Sequence, residues 1–161
     1  MEHASPSPPA RPYRRTPKPP DRGIEWEDLK VGYERVWEKK VTPEGVAWYA
    51  DLSEDYITWY GPFESPFGDP VAPPLHISRL AVWTTEPLGR MKGFANTRNF
   101  SEMFEPVFVG TTLRFHGRIT DKYEKRGRRY VDIAVDAFDT ATGKLVHREM
   151  KTYMVGPSRE A

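Results

Sequence analysis

Cysteine is absent from all 161 residues. That absence excludes disulfides, thiolate zinc sites and a cysteine nucleophile. Net charge is almost absent too: 24 basic residues against 23 acidic ones leave +1. Nucleic-acid binders usually carry a clear basic surplus, so nucleic acid is not expected as the main partner. No apolar run approaches the ~20 residues needed to span a bilayer. The N-terminus lacks the apolar core of a secretion signal, which makes a cytoplasmic protein the expectation. There is no glycine-rich phosphate loop and no serine-nucleophile motif. The four histidines are scattered without ligand spacing, so neither a metal nor a redox cofactor is expected.

What is present divides at about Gly23. Residues 1–23 carry seven prolines, from Pro6 to Pro20, interleaved with Arg11, Arg14, Arg15, Lys18 and Arg22. Proline at that density cannot sustain helix or sheet hydrogen bonds, and there is little apolar material to bury. This segment is expected to be a disordered tail. Residues 24–161, with enough apolar material for one core, are expected to form one domain.

Within that domain the patterns alternate. Tyr33 to Trp37 is rich in strand-prone residues. Thr42-Pro43-Glu44 is a helix start, with threonine as cap, proline at the first helical position and an acid near the positive end of the dipole. That helix should break near Ser53. Pro73-Pro74 opens a second, more apolar helix containing Leu75, Ile77, Leu80, Ala81, Val82 and Trp83, stopped by Pro87 and Gly89. Four strands follow: 94–104, 111–123, 129–138 and 144–155. In the second of these, Leu113, Phe115 and Ile119 share one face. In the third, Val131, Ile133, Val135 and Ala137 alternate with Tyr130, Asp132 and Asp136. In the last, Val146, Met150 and Met154 share a face. The order predicts an α+β domain in which a curved antiparallel sheet wraps a central helix. Its open sheet edges are expected to pair in an oligomer.

Several stretches resemble the MaoC-like dehydratases at matching intervals over 24–156. Trp26 to Gly32 is similar to the opening of such domains, and Val41-Thr42-Pro43-Glu44 to the start of their first helix. Glu105 to Gly110 resembles their strand-entry turn, and Tyr123 to Arg128 a hairpin of the fatty-acid-synthase-like branch. The resemblance implies the hot dog fold. It also implies addition or removal of water on an enoyl or 3-hydroxyacyl thioester, with coenzyme A or an acyl carrier as part of the substrate.

Active members of that family carry glycine-aspartate-x-asparagine-proline-x-histidine. The matching stretch here is Glu54-Asp55-Tyr56-Ile57-Thr58-Trp59-Tyr60. Asp55 falls on the aspartate and Tyr60 on the histidine. Histidine exchanges a proton near neutral pH, whereas tyrosine, with a pKa near ~10, stays protonated. Asp55 is equally readable as a turn residue and Tyr60 as a packed aromatic. Active relatives often have a histidine-glycine pair where this chain has Pro73-Pro74. Neither proline has an N–H to hold an enolate oxygen, so Leu75 or His76 is the remaining backbone donor. His76 is also a candidate replacement base, or simply a histidine fixed in place by its surroundings. The pattern is similar to silent subunits of heteromeric dehydratases, whose partner subunit supplies the working aspartate and histidine.

Lys122, Lys125, Arg126, Arg128 and Arg129 form a dense basic cluster. Arg126 and Arg128 are candidates for gripping the phosphates of coenzyme A, against the plainer reading of a solvated hairpin. Trp48, Tyr49, Tyr56, Trp59, Tyr60 and Trp83 point to a bulky acyl group, or equally to core material. Three functions stay open: a hydratase or dehydratase, a non-catalytic acyl-binding or structural subunit, and a thioesterase. Fold alone does not separate them.

Overall fold

The computed structural model describes residues 26–55, 58–60, 65–82 and 94–156. The proline-rich N-terminal segment, Tyr56, Trp83, Pro87 and Gly89 lie outside the described residues. Among the described residues, five strands make one antiparallel sheet: β1 (Glu34–Lys40), β2 (Phe94–Met103), β3 (Thr112–Lys125), β4 (Arg128–Asp139) and β5 (Leu145–Val155). Their spatial order is β1-β3-β4-β5-β2, so β1 and β2 are the edges. Helix α1 (Pro43–Ser53) follows β1, and α2 (Pro74–Val82) precedes β2. Short 3-10 turns occupy Trp26–Asp28 and Thr58–Tyr60. The predicted α+β arrangement is the observed one, with strand ends within a few residues of those read from the sequence.

The register sets the two faces of the sheet. Phe115 pairs with Trp37 on one side and Ala137 on the other, and Ile119 pairs with Ile133. These side chains point to the inner face, where Trp37 stacks on Phe115 at 5.0 Å between ring centroids. Leu113 and Phe115 are fully buried there with Val131 and Val135. Burying each of these large side chains stabilises the fold by roughly 2–3 kcal/mol. From α2, Ile77 and Ala81 enter the same core. The helix is not covered all round, however. Leu75, the second residue of the helix, stays 62% exposed.

Helix α1 begins as its sequence dictates. Thr42 sits in extended backbone, and its Oγ1 accepts from the Gly45 N–H at 3.1 Å. Val46 and Ala50 then supply the buried stripe. Thr42→Ala is expected to cost about 1 kcal/mol, read as a lower urea midpoint with unchanged slope; no shift would mean the cap is replaced by water.

Candidate functional site

The site is built where α1 ends and α2 begins. Glu54 closes α1 in the left-handed conformation, φ 53°. The next N–H, that of Asp55, returns to the Ala50 carbonyl at 3.0 Å. Asp55 is therefore held against the last turn of the helix. Tyr60 comes from the following 3-10 turn, which is tied down where the Val71 N–H donates to the Trp59 carbonyl at 3.0 Å. With both backbones fixed, the Tyr60 hydroxyl donates to Asp55 Oδ2 at 3.0 Å. Both side chains are half-buried.

Burial and this bond together fix the protonation state of Tyr60. Burial, then the hydrogen bond and charge of Asp55, then Tyr49, push the Tyr60 hydroxyl up to about 12. At neutral pH Tyr60 is a phenol donating to Asp55 Oδ2. It cannot serve as a base, and it holds one of the two carboxylate oxygens of Asp55.

His76 lies one aromatic ring away. Its ring centroid is 5.4 Å from that of Tyr49, and a Cβ on Gly45 would sit 3.6 Å from its Cε1 and Nε2. The imidazole is thus packed between α1 and α2, 2% exposed, with Nδ1 lacking a hydrogen-bond partner among the described residues. Burial first, and Arg79 second, lower its pKa to about 4. It is neutral at physiological pH.

The backbone donors expected at the start of α2 are fewer than the sequence allowed. The His76 N–H donates to the Pro73 carbonyl at 2.9 Å. With prolines at 73 and 74, the Leu75 N–H is the first-turn donor with no backbone acceptor among the described residues. Of the aromatic candidates, Tyr49 and Tyr60 face this site. Trp59 is exposed and packs edge-on to Phe67 at 6.1 Å, and Trp48 lies under the Arg79 guanidinium at 4.1 Å.

The basic cluster of the β3–β4 hairpin divides by strand alternation. Lys122 and Arg129 turn to Trp26, at 4.4 and 5.6 Å from its ring. Arg129 is also paired with Glu124 and Glu27. Lys125, Arg126 and Arg128 point elsewhere, into a groove shared with Arg98 of β2. They do not reach Asp55 or Tyr60 within one protomer, because that groove opens on the outer sheet face, away from α2.

Sequence reasoning missed a polar row under α2. Ser101 Oγ is 2.8 Å from His147 Nε2 and 3.1 Å from Ser78 Oγ. Next along β5, the buried Glu149 and Lys151 form an ion pair at 3.1 Å. Their alternation at 147, 149 and 151 was the available signal.

No family model matches the chain, and no curated protein is similar to it. Solved structures do match. A MaoC-like dehydratase from Rhodospirillum rubrum superposes with a TM-score of 0.70 at 18% identity, covering 86% of this chain and 100% of its own. The unliganded R-hydratase from Pseudomonas aeruginosa gives 0.66 at 20% identity, covering 84% and 86%. The chain has the hot dog fold. A 3R-hydroxyacyl-ACP dehydratase complex from Mycobacterium tuberculosis gives 0.67 at 18% identity, covering 77% of this chain and 96% of that one. At such identities the likeness extends to the fold. Among the described residues of this hot dog domain, no helix is long and apolar enough to cross a membrane.

Proposed function

We propose that this chain is one subunit of a hetero-oligomer that adds water to an enoyl thioester or removes it from a 3-hydroxyacyl thioester, with the proton transfers made by a catalytic hot-dog partner. The observation that carries the reading is the bond between Tyr60 and Asp55. Water addition needs a base for the attacking water and an acid for the α-carbon of the thioester. A phenol pushed up to about 12 is a poor acid, and it occupies the carboxylate that would be the base. His76, lowered to about 4, is a weak base sealed among packed side chains. Among the described residues the start of α2 offers a single backbone donor, the Leu75 N–H, for an enolate oxygen.

The fold supports assembly. Among the described residues strand β2 is a sheet edge, and Phe100 on it and Met150 beside it are each 51% exposed. Such an edge is managed by pairing with another chain. The related 3R-hydroxyacyl-ACP dehydratase from Mycobacterium tuberculosis was solved as a complex. A second reading is favoured by Asp55 itself: its Oδ1 accepts no hydrogen bond from the described residues, so Asp55 can orient a water and the chain can be catalytic alone.

The test is hydration of a panel of enoyl-CoA thioesters, followed by loss of the enoyl absorbance. The purified chain alone should show no turnover, and turnover should appear when a candidate hot-dog partner is co-expressed. Asp55→Ala in the complex should change kcat by less than about threefold, an uncoupled positioning role rather than a lost base. Turnover by the chain alone that disappears in Asp55→Ala or His76→Ala would overturn the subunit reading.

A further inference from the structure

On the outer sheet face, the end of the β3–β4 hairpin forms a groove of about 560 Å³. Arg98, Lys125, Arg126 and Arg128 line it around Tyr123 and Tyr130. That volume lies within the range of small-ligand sites. Four cations face one lining carboxylate, Asp132, whose Oδ1 already accepts from the Thr152 hydroxyl at 2.6 Å. None of the four cations is paired with a carboxylate among the described residues. By contrast, Arg129, one residue further on, pairs with two.

The aromatic floor is ordered. Tyr123 and Tyr130 are cross-strand partners whose rings stack at 5.4 Å between centroids, 18° from parallel. The hairpin tip is held at a cost. Arg126 has φ 52° and Gly127 φ 70°, the two positive values of a tight turn that favours asparagine or glycine at its first position. An arginine kept in that conformation, with its side chain in the groove, is strain spent at a site. A smaller groove of about 260 Å³ shares Arg98, Asp132 and Thr152 and continues past Phe100 and Met150, which gives the site an apolar extension.

We propose that this groove binds the phosphates of a nucleotide, with Arg98, Lys125, Arg126 and Arg128 as the anion grip and the stacked tyrosines against the base. Unpaired guanidinium groups bind phosphate oxygens in paired, charge-assisted hydrogen bonds. A planar base gains stacking on a tyrosine face. The nucleotide has two sources, the adenosine end of a coenzyme A thioester or a free nucleoside phosphate. The proposal stands apart from the reading of Asp55 and Tyr60, since the two sites open on opposite faces of the sheet.

Calorimetric titration of the full chain with coenzyme A, dephospho-coenzyme A, ATP and pantetheine tests it without any turnover. Saturable binding of coenzyme A or ATP, with none of pantetheine, is expected. Binding should weaken with added salt and fall about tenfold or more in Arg126→Ala/Arg128→Ala, as loss of charge-assisted bonds requires. Tyr123→Ala should weaken it less. A preference for coenzyme A over dephospho-coenzyme A and ATP would assign the groove to the thioester substrate. Equal binding of ATP would assign it to a free nucleotide. Absence of saturable binding by both, or binding unchanged in folded Arg98→Ala/Arg126→Ala/Arg128→Ala, would overturn the proposal.

Discussion

Lys151→Met is expected to destabilise the fold by about 3–5 kcal/mol, a large part of the ~5–15 kcal/mol that holds a domain of this size together. Lys151 and Glu149 are 5% and 0% exposed, and their charged atoms meet at 3.1 Å on the inner face of β5. Burial pushes the Glu149 carboxyl up and the Lys151 ammonium down, while each pulls the other back toward its charged form. Asn99 and Ser78 also lie close enough to favour the carboxylate, although neither oxygen receives a well-aligned hydrogen bond. Methionine fills the lysine's space without its charge, and Glu149 is then left alone in the core.

The pair is a different matter from its halves. Replacing both members with apolar residues of similar volume, as in Glu149→Leu/Lys151→Met, should cost far less than Lys151→Met and can even stabilise. Urea unfolding of the two variants at pH 7 measures both effects. A Lys151→Met midpoint close to the parent's would mean that Glu149 protonates in place at little cost. An equally unstable double variant would mean that packing, not charge, sets the penalty.

This row also marks the limit of what the sequence discloses. Alternation in β3 and β4 identifies the inner face directly, because Phe115, Ile119 and Val131 are apolar and flanked by residues with polar groups. In β5 the apolar set is Val146, Met150 and Met154, yet register places Glu149 opposite Val135 and Lys151 opposite Ile133 on the buried side. Sheet pairing overrides the local pattern there, and the cost is met by a partner two residues away in the same strand. The start of α1 is legible because Thr42 and Pro43 act within one turn. The contact of Asp55 with Tyr60 is legible only through resemblance, since it depends on how Glu54 ends the helix and how Val71 anchors the next turn. Arg98 could not be grouped with Lys125, Arg126 and Arg128 from spacing at all, because β2 reaches them only across β5 and β4.

Acid should unfold this protein early. His76 and His147 are 2% and 0% exposed, and each has its pKa lowered from 6.5 to about 4. Burial is the main cause in both, followed by Arg79 for His76 and Lys151 for His147. In the unfolded chain both histidines take up protons as pH falls through 6.5, while the folded state does not until about 4. Stability from this source is therefore complete above 6.5 and lost progressively down to about 4. Each histidine is worth at most about 3 kcal/mol over that window. Glu149 works against the loss: with its carboxyl pushed up, the folded state gains a proton there before the unfolded chain does. Two histidines against one carboxyl leave a net fall, seen as a lower urea midpoint at pH 4.5 than at pH 7.5. His76→Leu, which keeps an apolar group against Tyr49 and Gly45, should show a smaller drop than the parent. A parent equally stable at both pH values would sink the prediction. A His76→Leu variant with the full drop would assign the acid sensitivity to His147 alone. Retention of a neutral His76 down to pH 5 also means that hydration assays run at pH 6 to 8 see this side chain in one protonation state, so any pH dependence they show comes from another group.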